Sequence, residues 1–279
     1  MKSISSRRPP ILPPRLTAAK LFLAGSTIGP VVDSLHNQCL LTYDIAPITI
    51  SASSAFGVLP SPASSAPPLF CSSWVVPPLL GIAYVVLGYI LPRVIELFTT
   101  WISASRVVHL VSVDDGQKAN TKELQEKAVW AVTSTAMIIK LSDILQTHES
   151  INWWGNTILL DSKLNLILMV ASDAAQWTLL DRTPVALVTA VIAAFGGPLS
   201  ELPFVAHGFW HYLSESVDYL PLSGDVFQAE SIGDTIATNI LGENYHDLAL
   251  SSITGPCYFA VTMDSIALSR YIYMSSDDR

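Results

Sequence analysis

Apolar positions in this chain are gathered into long uninterrupted runs, without the period-two alternation of half-buried strands or a narrow amphipathic stripe. The clearest run is SSWVVPPLLGIAYVVLGYILP, Ser72–Pro92, which contains no charged residue. An α-helix rises about 1.5 Å per residue, so about 20 such residues cover the roughly 30 Å of bilayer hydrocarbon, where every backbone polar group needs an internal partner. Pro77 and Pro78 suit a helix's first turn, whose N–H groups lack intrahelical acceptors, and Pro92 predicts its end. Trp74 then sits at headgroup depth. Five further segments meet the same test: Ala18–Gln38, Ala128–Gln146, Thr157–Leu179, Pro184–Ala206 and Leu248–Ser269. Val94–Val113 is interrupted by Glu96, Arg106 and His109 and reads as an interfacial helix. The predicted fold is all-α: a polytopic membrane bundle spanning residues 18–269, preceded by a basic segment 1–17 and followed by a tail 270–279.

Charge placement supports this division. Lys2, Arg7, Arg8, Arg15 and Lys20 precede or open the first span, and Arg93, Arg106, Lys118, Lys122 and Lys127 lie between the second and third. Arg182 lies between the fourth and fifth, and Arg270 and Arg279 follow the sixth. The intervening loops Cys39–Ser72, Thr147–Asn156 and His207–Asp247 carry no Lys or Arg at all. Basic residues stay preferentially on the cytoplasmic side, so six spans with both termini cytoplasmic are predicted. Of the basic residues inside spans, Lys163 lies near an end, where it can snorkel, and Lys140 has Asp143 three residues on, on the same helix face.

Composition agrees: 14% of residues are charged, against about 25% in a soluble domain, and 50% are apolar. The Ser-, Ala- and Pro-rich loop Cys39–Ser72 predicts a flexible connection. His207–Asp247 carries seven carboxylates, and a solvated acidic loop is preferred over a small folded cap. Cys39 and Cys71 flank one loop and can pair there, or they and Cys257 are unrelated thiols.

Carboxylates inside a bilayer are costly, which makes Asp33, Asp173, Glu201 and Asp264 functional candidates. Against that, Asp33 and Glu201 lie near span ends, and Asp264 can serve packing alone. The zinc-protease, nucleophile-elbow and phosphate-loop motifs are absent from the sequence, so neither catalytic residues nor a cofactor are predicted. His207 and His211 have i, i+4 spacing, but a metal site needs a third ligand, and none is predicted. Gly25 and Gly29 form a G-x-x-x-G face that allows close helix approach, and Gly196-Gly197-Pro198 predicts a kink with a cavity beside it.

Three stretches carry a family resemblance. Ser73-Trp74-Val75-Val76-Pro77-Pro78, followed by Gly81, Gly88 and Leu91-Pro92, resembles the second transmembrane helix of the Insig (insulin-induced gene) proteins. Trp177-Thr178-Leu179-Leu180-Asp181-Arg182 resembles the end of that family's fourth helix, and Pro256-Cys257-Tyr258-Phe259-Ala260 the start of its last. The resemblance implies a non-enzymatic regulator of the endoplasmic reticulum that binds a sterol or a diacylglycerol-like lipid. It also implies membrane partners with sterol-sensing domains, Scap-like or hydroxymethylglutaryl-CoA reductase-like. On this basis Trp74, Gly81, Tyr84, Asp173 and Trp177 are expected at the lipid, and Asp181 and Arg182 at a partner. Long loops on the lumenal side and the acids Asp173 and Glu201 depart from the animal pattern and imply a more polar cavity. The basic, Ser- and Pro-containing N-terminus also suits an organelle transit peptide, which makes a plastid or mitochondrial membrane the alternative location. A proton-coupled carrier using Asp173 and Glu201 is the competing function.

Overall fold

The computed structural model describes residues 11–36, 40–50, 69–103, 121–153, 156–223 and 232–275. The chain is mostly helical. Helix α1 is Arg15–Asp33, α2 is Val76–Val85, a π-helical turn follows at Val86–Ile90, and α3 is Leu91–Ser103. Then come α4 (Thr121–Thr147), α5 (Ser162–Leu180), α6 (Pro184–Ala206), the short α7 (Ile232–Leu241) and α8 (Thr254–Ser275). Among the described residues, three stretches are long and apolar enough on their own to cross a membrane: Val76–Thr99, Thr121–Thr147 and Pro184–Ala206. Helices α1, α5 and α8 are 19, 19 and 22 residues long and fall outside that set.

Local chemistry explains most boundaries. Pro77 and Pro78 occupy the first turn of α2. The Asp161 carboxylate accepts from the Leu164 N–H at 2.7 Å to cap α5, and Thr183 caps α6 by accepting from Ala186 N–H at 3.2 Å, with Pro184 following. Pro92, by contrast, does not end its helix. The π turn before it closes with the Leu91 N–H on the Val86 carbonyl, and helix resumes through Ser103. The wider turn places the proline where an i→i+4 bond is already displaced, so the missing N–H breaks nothing further. Residues 94–103 therefore continue the second helix instead of starting a separate interfacial one; the rest of that predicted segment lies outside the described residues.

Helix α8 is the hub, in contact with α1, α2, the π turn, α4, α5 and α6. From Thr254 to Ser269 it has no exposed residue. Small residues allow the approach: a β-carbon on Gly88 would lie 2.5 Å from the Ser265 carbonyl oxygen, and one on Gly255 2.8 Å from that of Ala194. The Thr135 hydroxyl of α4 donates to the Ala260 carbonyl at 2.9 Å. Between α1 and α2 the glycines interlock, since a β-carbon on Gly25 would meet the Leu80 carbonyl at 2.5 Å and one on Gly81 the Ser26 hydroxyl at 2.4 Å. Helix α6 runs unbroken through Gly196-Gly197-Pro198, and the Tyr258 ring fills the space over Gly197 where a cavity was expected.

One end of the bundle carries three small antiparallel pairs. Strand β1 (Leu41–Tyr43) pairs with β6 (Trp210–Tyr212), matching Leu41 with Tyr212 and Tyr43 with Trp210. Strands β2 (Pro47–Ile50) and β3 (Phe70–Ser73) form a second pair, and β4 (Ser150–Trp153) and β5 (Asn156–Leu159) a third. The ends of the predicted flexible loop are thus structured; its Ser/Ala/Pro-rich centre, and Cys39 with the pairing considered for it, lie outside the described residues, as do residues 1–10, 224–231 and 276–279. Residues 157–159, predicted to open the fourth span, belong to β5. The acidic loop also folds back as a cap. Asp218 accepts from the Ser252 N–H at 2.7 Å, Tyr219 bridges to Leu250, and the Tyr245 hydroxyl donates to Asp234 at 2.7 Å. Asp218 and Asp234 thus tie the acidic loop to itself and to the start of α8.

The glycine contacts give a direct test. Gly25→Leu forces backbone apart and should cost about 1–3 kcal/mol of stability. Gly196→Ala, where a β-carbon meets nothing within 4 Å, should be neutral or raise stability by up to about 1 kcal/mol. Thermal unfolding of the detergent-solubilised protein measures both.

Candidate functional site: a polar-ended cavity inside the bundle

A cavity of about 80 Å³ lies between α1, α2, α4, α6 and α8. Its apolar wall comes from Gly29 and Val32 of α1, Leu80 and Ala83 of α2, Leu87 of the π turn, Ile139 of α4 and Val261 of α8. Its polar end, toward the hairpins, is formed by Asp33, His36, Glu201, Tyr212, Thr254 and Tyr258. Among the cavity's lining residues there is no Lys and no Arg.

Glu201 organises that end. The Tyr212 hydroxyl donates to Oε2 at 2.6 Å and the Trp210 indole N–H to the same oxygen at 3.3 Å, while the Tyr258 hydroxyl donates to Oε1 at 2.8 Å. Three donors from two elements fix a buried carboxylate that would otherwise be strongly destabilising in hydrocarbon. The β1–β6 pair is what delivers Trp210 and Tyr212 to it. Across the cavity Asp33 accepts from the Tyr43 hydroxyl at 2.7 Å and lies 3.7 Å from His36 Nε2. His36 Nδ1 lies 3.3 Å from Ser142 Oγ and 3.7 Å from Cys257 Sγ, tying the exit of α1 to α4 and α8. Deeper in, Tyr84 lines the cavity and donates to Asp264 Oδ2 at 3.1 Å, joining α2 to α8.

The residues expected at a lipid do not all meet here. Tyr84 lines the cavity; Trp74, Gly81, Trp177 and Asp173 do not. Trp74 is 70% exposed at the start of α2, as an interfacial anchor would be. Gly81 is spent on the contact with α1. Trp177 donates its indole N–H to the Thr183 carbonyl at 3.1 Å and closes the α5–α6 turn. Asp173 is buried on the polar face of α5, together with Asn165, which donates to the Leu145 carbonyl, and Gln176, which donates to Ser134 and Thr135. Asp33 and Glu201, conspicuous in sequence as acids in spans, are the ones the cavity uses. His36, Tyr212 and Tyr258 were not signalled as its partners. The i, i+4 reading of His207 and His211 also fails, because His207 caps α6 and His211 lies in β6, where it pairs with Asp44 at 2.8 Å. No group of three metal-ligating side chains occurs among the described residues.

At the opposite end Asp181 forms a clamp. Its carboxylate accepts from the Thr183 N–H at 2.9 Å, from the Thr183 hydroxyl and from Arg270 of α8, and its side chain is only 5% exposed. Arg182, in the left-handed region at φ 64°, turns away and donates to the Thr178 carbonyl at 2.5 Å. The two residues expected together at a partner therefore have different settings: one is locked inside and the other is exposed.

Outside the membrane-embedded helices, burial holds the Tyr43 and Tyr212 hydroxyls well above the usual 10, reinforced by Asp33 and Glu201 respectively. Both are neutral in the fold and ionise more easily once unfolded. Their contribution is full below about pH 10 and is lost as the pH rises through their raised values. Melting temperature should fall steeply above pH 10, and less steeply in Tyr212→Phe.

Comparisons with known proteins agree with this architecture. The sequence model of the family described as Insulin-induced protein (INSIG) matches residues 16–252. A comparison with curated proteins finds no significant sequence match. Among solved structures, the mycobacterial Insig homologue MvINS from Mycobacterium vanbaalenii superposes with a TM-score of 0.51 at 17% identity, covering 95% of this chain and 100% of that one. A cross-linked trimer of an MvINS cysteine variant gives 0.52 at the same identity and coverage.

Proposed function

From the premise that this chain, a multi-pass membrane protein, belongs to the Insig family, we propose that it is a lipid-binding regulator of the endoplasmic reticulum membrane. It holds a sterol or diacylglycerol-like lipid in the cavity beneath Glu201 and scaffolds membrane partners, Scap-like or hydroxymethylglutaryl-CoA reductase-like, in response. One observation carries the reading: a cavity inside a membrane bundle has an apolar wall and a single polar end, the shape and polarity of an amphiphile. Six spans with cytoplasmic termini complete the proposal. The end holding Arg15, Lys20, Lys122, Lys127, Arg182 and Arg270 faces the cytoplasm, and the hairpin end, whose three connecting loops carry no Lys or Arg and where Lys163 stands in the first turn of α5, faces the lumen. The carrier alternative needs Asp173 and Glu201 on one path, and only Glu201 reaches the cavity.

In this account Asp181 acts on partners through its clamp, which fixes the end of α5 against α8, rather than by direct contact. Asp181→Ala and Arg270→Ala should then reduce capture of a sterol-sensing partner alike, measured by co-purification from membranes; loss in Asp181→Ala alone would mean direct contact. Lipid binding is tested with photoreactive sterol and diacylglycerol probes on the purified protein. Saturable labelling of cavity peptides, displaced by unlabelled lipid and reduced by Leu87→Trp, is expected. Labelling confined to the outer faces of the helices would refute it.

A further inference from the structure

Helix α7, Ile232–Leu241 in the acidic loop, carries an apolar face that the protein leaves uncovered. Ile232, Ile236 and Ile240 recur every fourth residue, which places them on one side of the helix, and they are 82%, 53% and 50% exposed. The opposite side is committed to the protein. Ala237 is buried, Leu241 packs on the core cluster that includes Leu202 of α6, and Asp234 accepts from the Tyr245 hydroxyl at 2.7 Å. Leu222 of the same loop also packs on that cluster, so the loop has a core available to it that the isoleucines do not use. The sequence of α7 makes such exposure to water costly. Half of its 10 residues are β-branched and one is glycine, all weak helix formers, and a helix this short is marginal in water without support from packing.

The position of α7 supplies the cover. It rests against α6, whose 23 residues rise about 33 Å and so reach across the roughly 30 Å of bilayer hydrocarbon. The last turns of α6, with Leu202, therefore lie at the boundary between acyl chains and headgroups, and Phe195 and Leu199 before them are exposed as lipid-facing residues are. A helix packed beside those turns lies at headgroup depth. Thr235 and Asn239, exposed next to the isoleucines, are polar and uncharged, as that depth allows. His207–Asp247 contains no Lys or Arg, so attraction to anionic lipid plays no part and apolar burial must supply the binding.

We infer that α7 is an interfacial helix, seating Ile232, Ile236 and Ile240 in the leaflet at the hairpin end where headgroups meet acyl chains. The acidic loop is thereby anchored to lipid on one side and, through Asp218, to the start of α8 on the other. The inference depends on the membrane bundle and is independent of what fills the cavity.

The test uses the full chain in phosphatidylcholine nanodiscs, with p-benzoylphenylalanine replacing Ile236 or Ile240 in turn and Phe195 as the lipid-facing reference. After irradiation, mass spectrometry should find phospholipid adducts at both α7 positions, at yields comparable to Phe195. Absence of adducts at both, adducts that form only when phosphatidylserine is added, or capture of a second copy of the chain in place of lipid overturns the inference. Amide hydrogen exchange gives an independent reading through the triple variant Ile232→Ser, Ile236→Ser, Ile240→Ser, since serine and isoleucine have similar helix propensities. Its α7 amides should exchange about tenfold faster or more, the factor expected from losing the burial of one isoleucine, while those of α6 and α8 are unchanged. Equal protection of α7 in the two proteins places the isoleucines in water and overturns the inference.

Discussion

The bundle depends on one helix that is enclosed along most of its length. Between Thr254 and Ser269, α8 meets protein on every side, so its side chains contribute through fit and hydrogen bonding rather than through an apolar face turned inward. Gly88 and Gly255 bring neighbouring backbones to it, Thr135 reaches its Ala260 carbonyl, and Tyr84 reaches its Asp264. The Thr135 and Tyr84 hydroxyls cost little to bury because each meets a partner within the bundle. The same enclosure makes a cavity possible: where α8 parts from α1 and α2 near Leu87 and Val261, the helices leave a space between them.

The hairpin end converts that gap into a site. A carboxylate at Glu201 would be a liability in hydrocarbon if it stood alone. The β1–β6 pair places Trp210 and Tyr212 against it, and α8 contributes Tyr258, so a loop after α6 and a loop after α1 must both fold before the cavity has its polar end. The acidic loop that follows is held by Asp218 on Ser252, next to the start of α8. Site and cap are therefore one folding unit. At the other end, Asp181 joins α5 to α8 through Arg270, so a change in the packing of α8 around a ligand has a mechanical route to the opposite surface.

Much of this was legible in the sequence, for physical reasons. Basic residues sort by side regardless of tertiary detail, so their alternation located the loops, and the bounds Pro184–Ala206 follow from a capping threonine and a run of apolar residues. Gly25 declared a close contact because no other residue allows one. What stayed hidden depended on pairing at a distance. Tyr212 reaches Glu201 only through its register with Leu41, which loop composition does not encode. Trp177 carried a resemblance to a lipid-facing residue, yet its indole N–H is committed to the Thr183 carbonyl. Pro92 read as a stop because a π turn two residues earlier leaves no periodicity that sequence patterns reveal.

The central claim is that the cavity beneath Glu201 is occupied by an amphiphile in the membrane. A cryo-electron microscopy map of the protein extracted with its native lipids tests it most directly. The account predicts elongated density running past Leu87 and Val261, with its polar end within hydrogen-bonding distance of Glu201. A cavity holding only discrete water-sized peaks, with lipid density confined to the outside of the bundle, would contradict it.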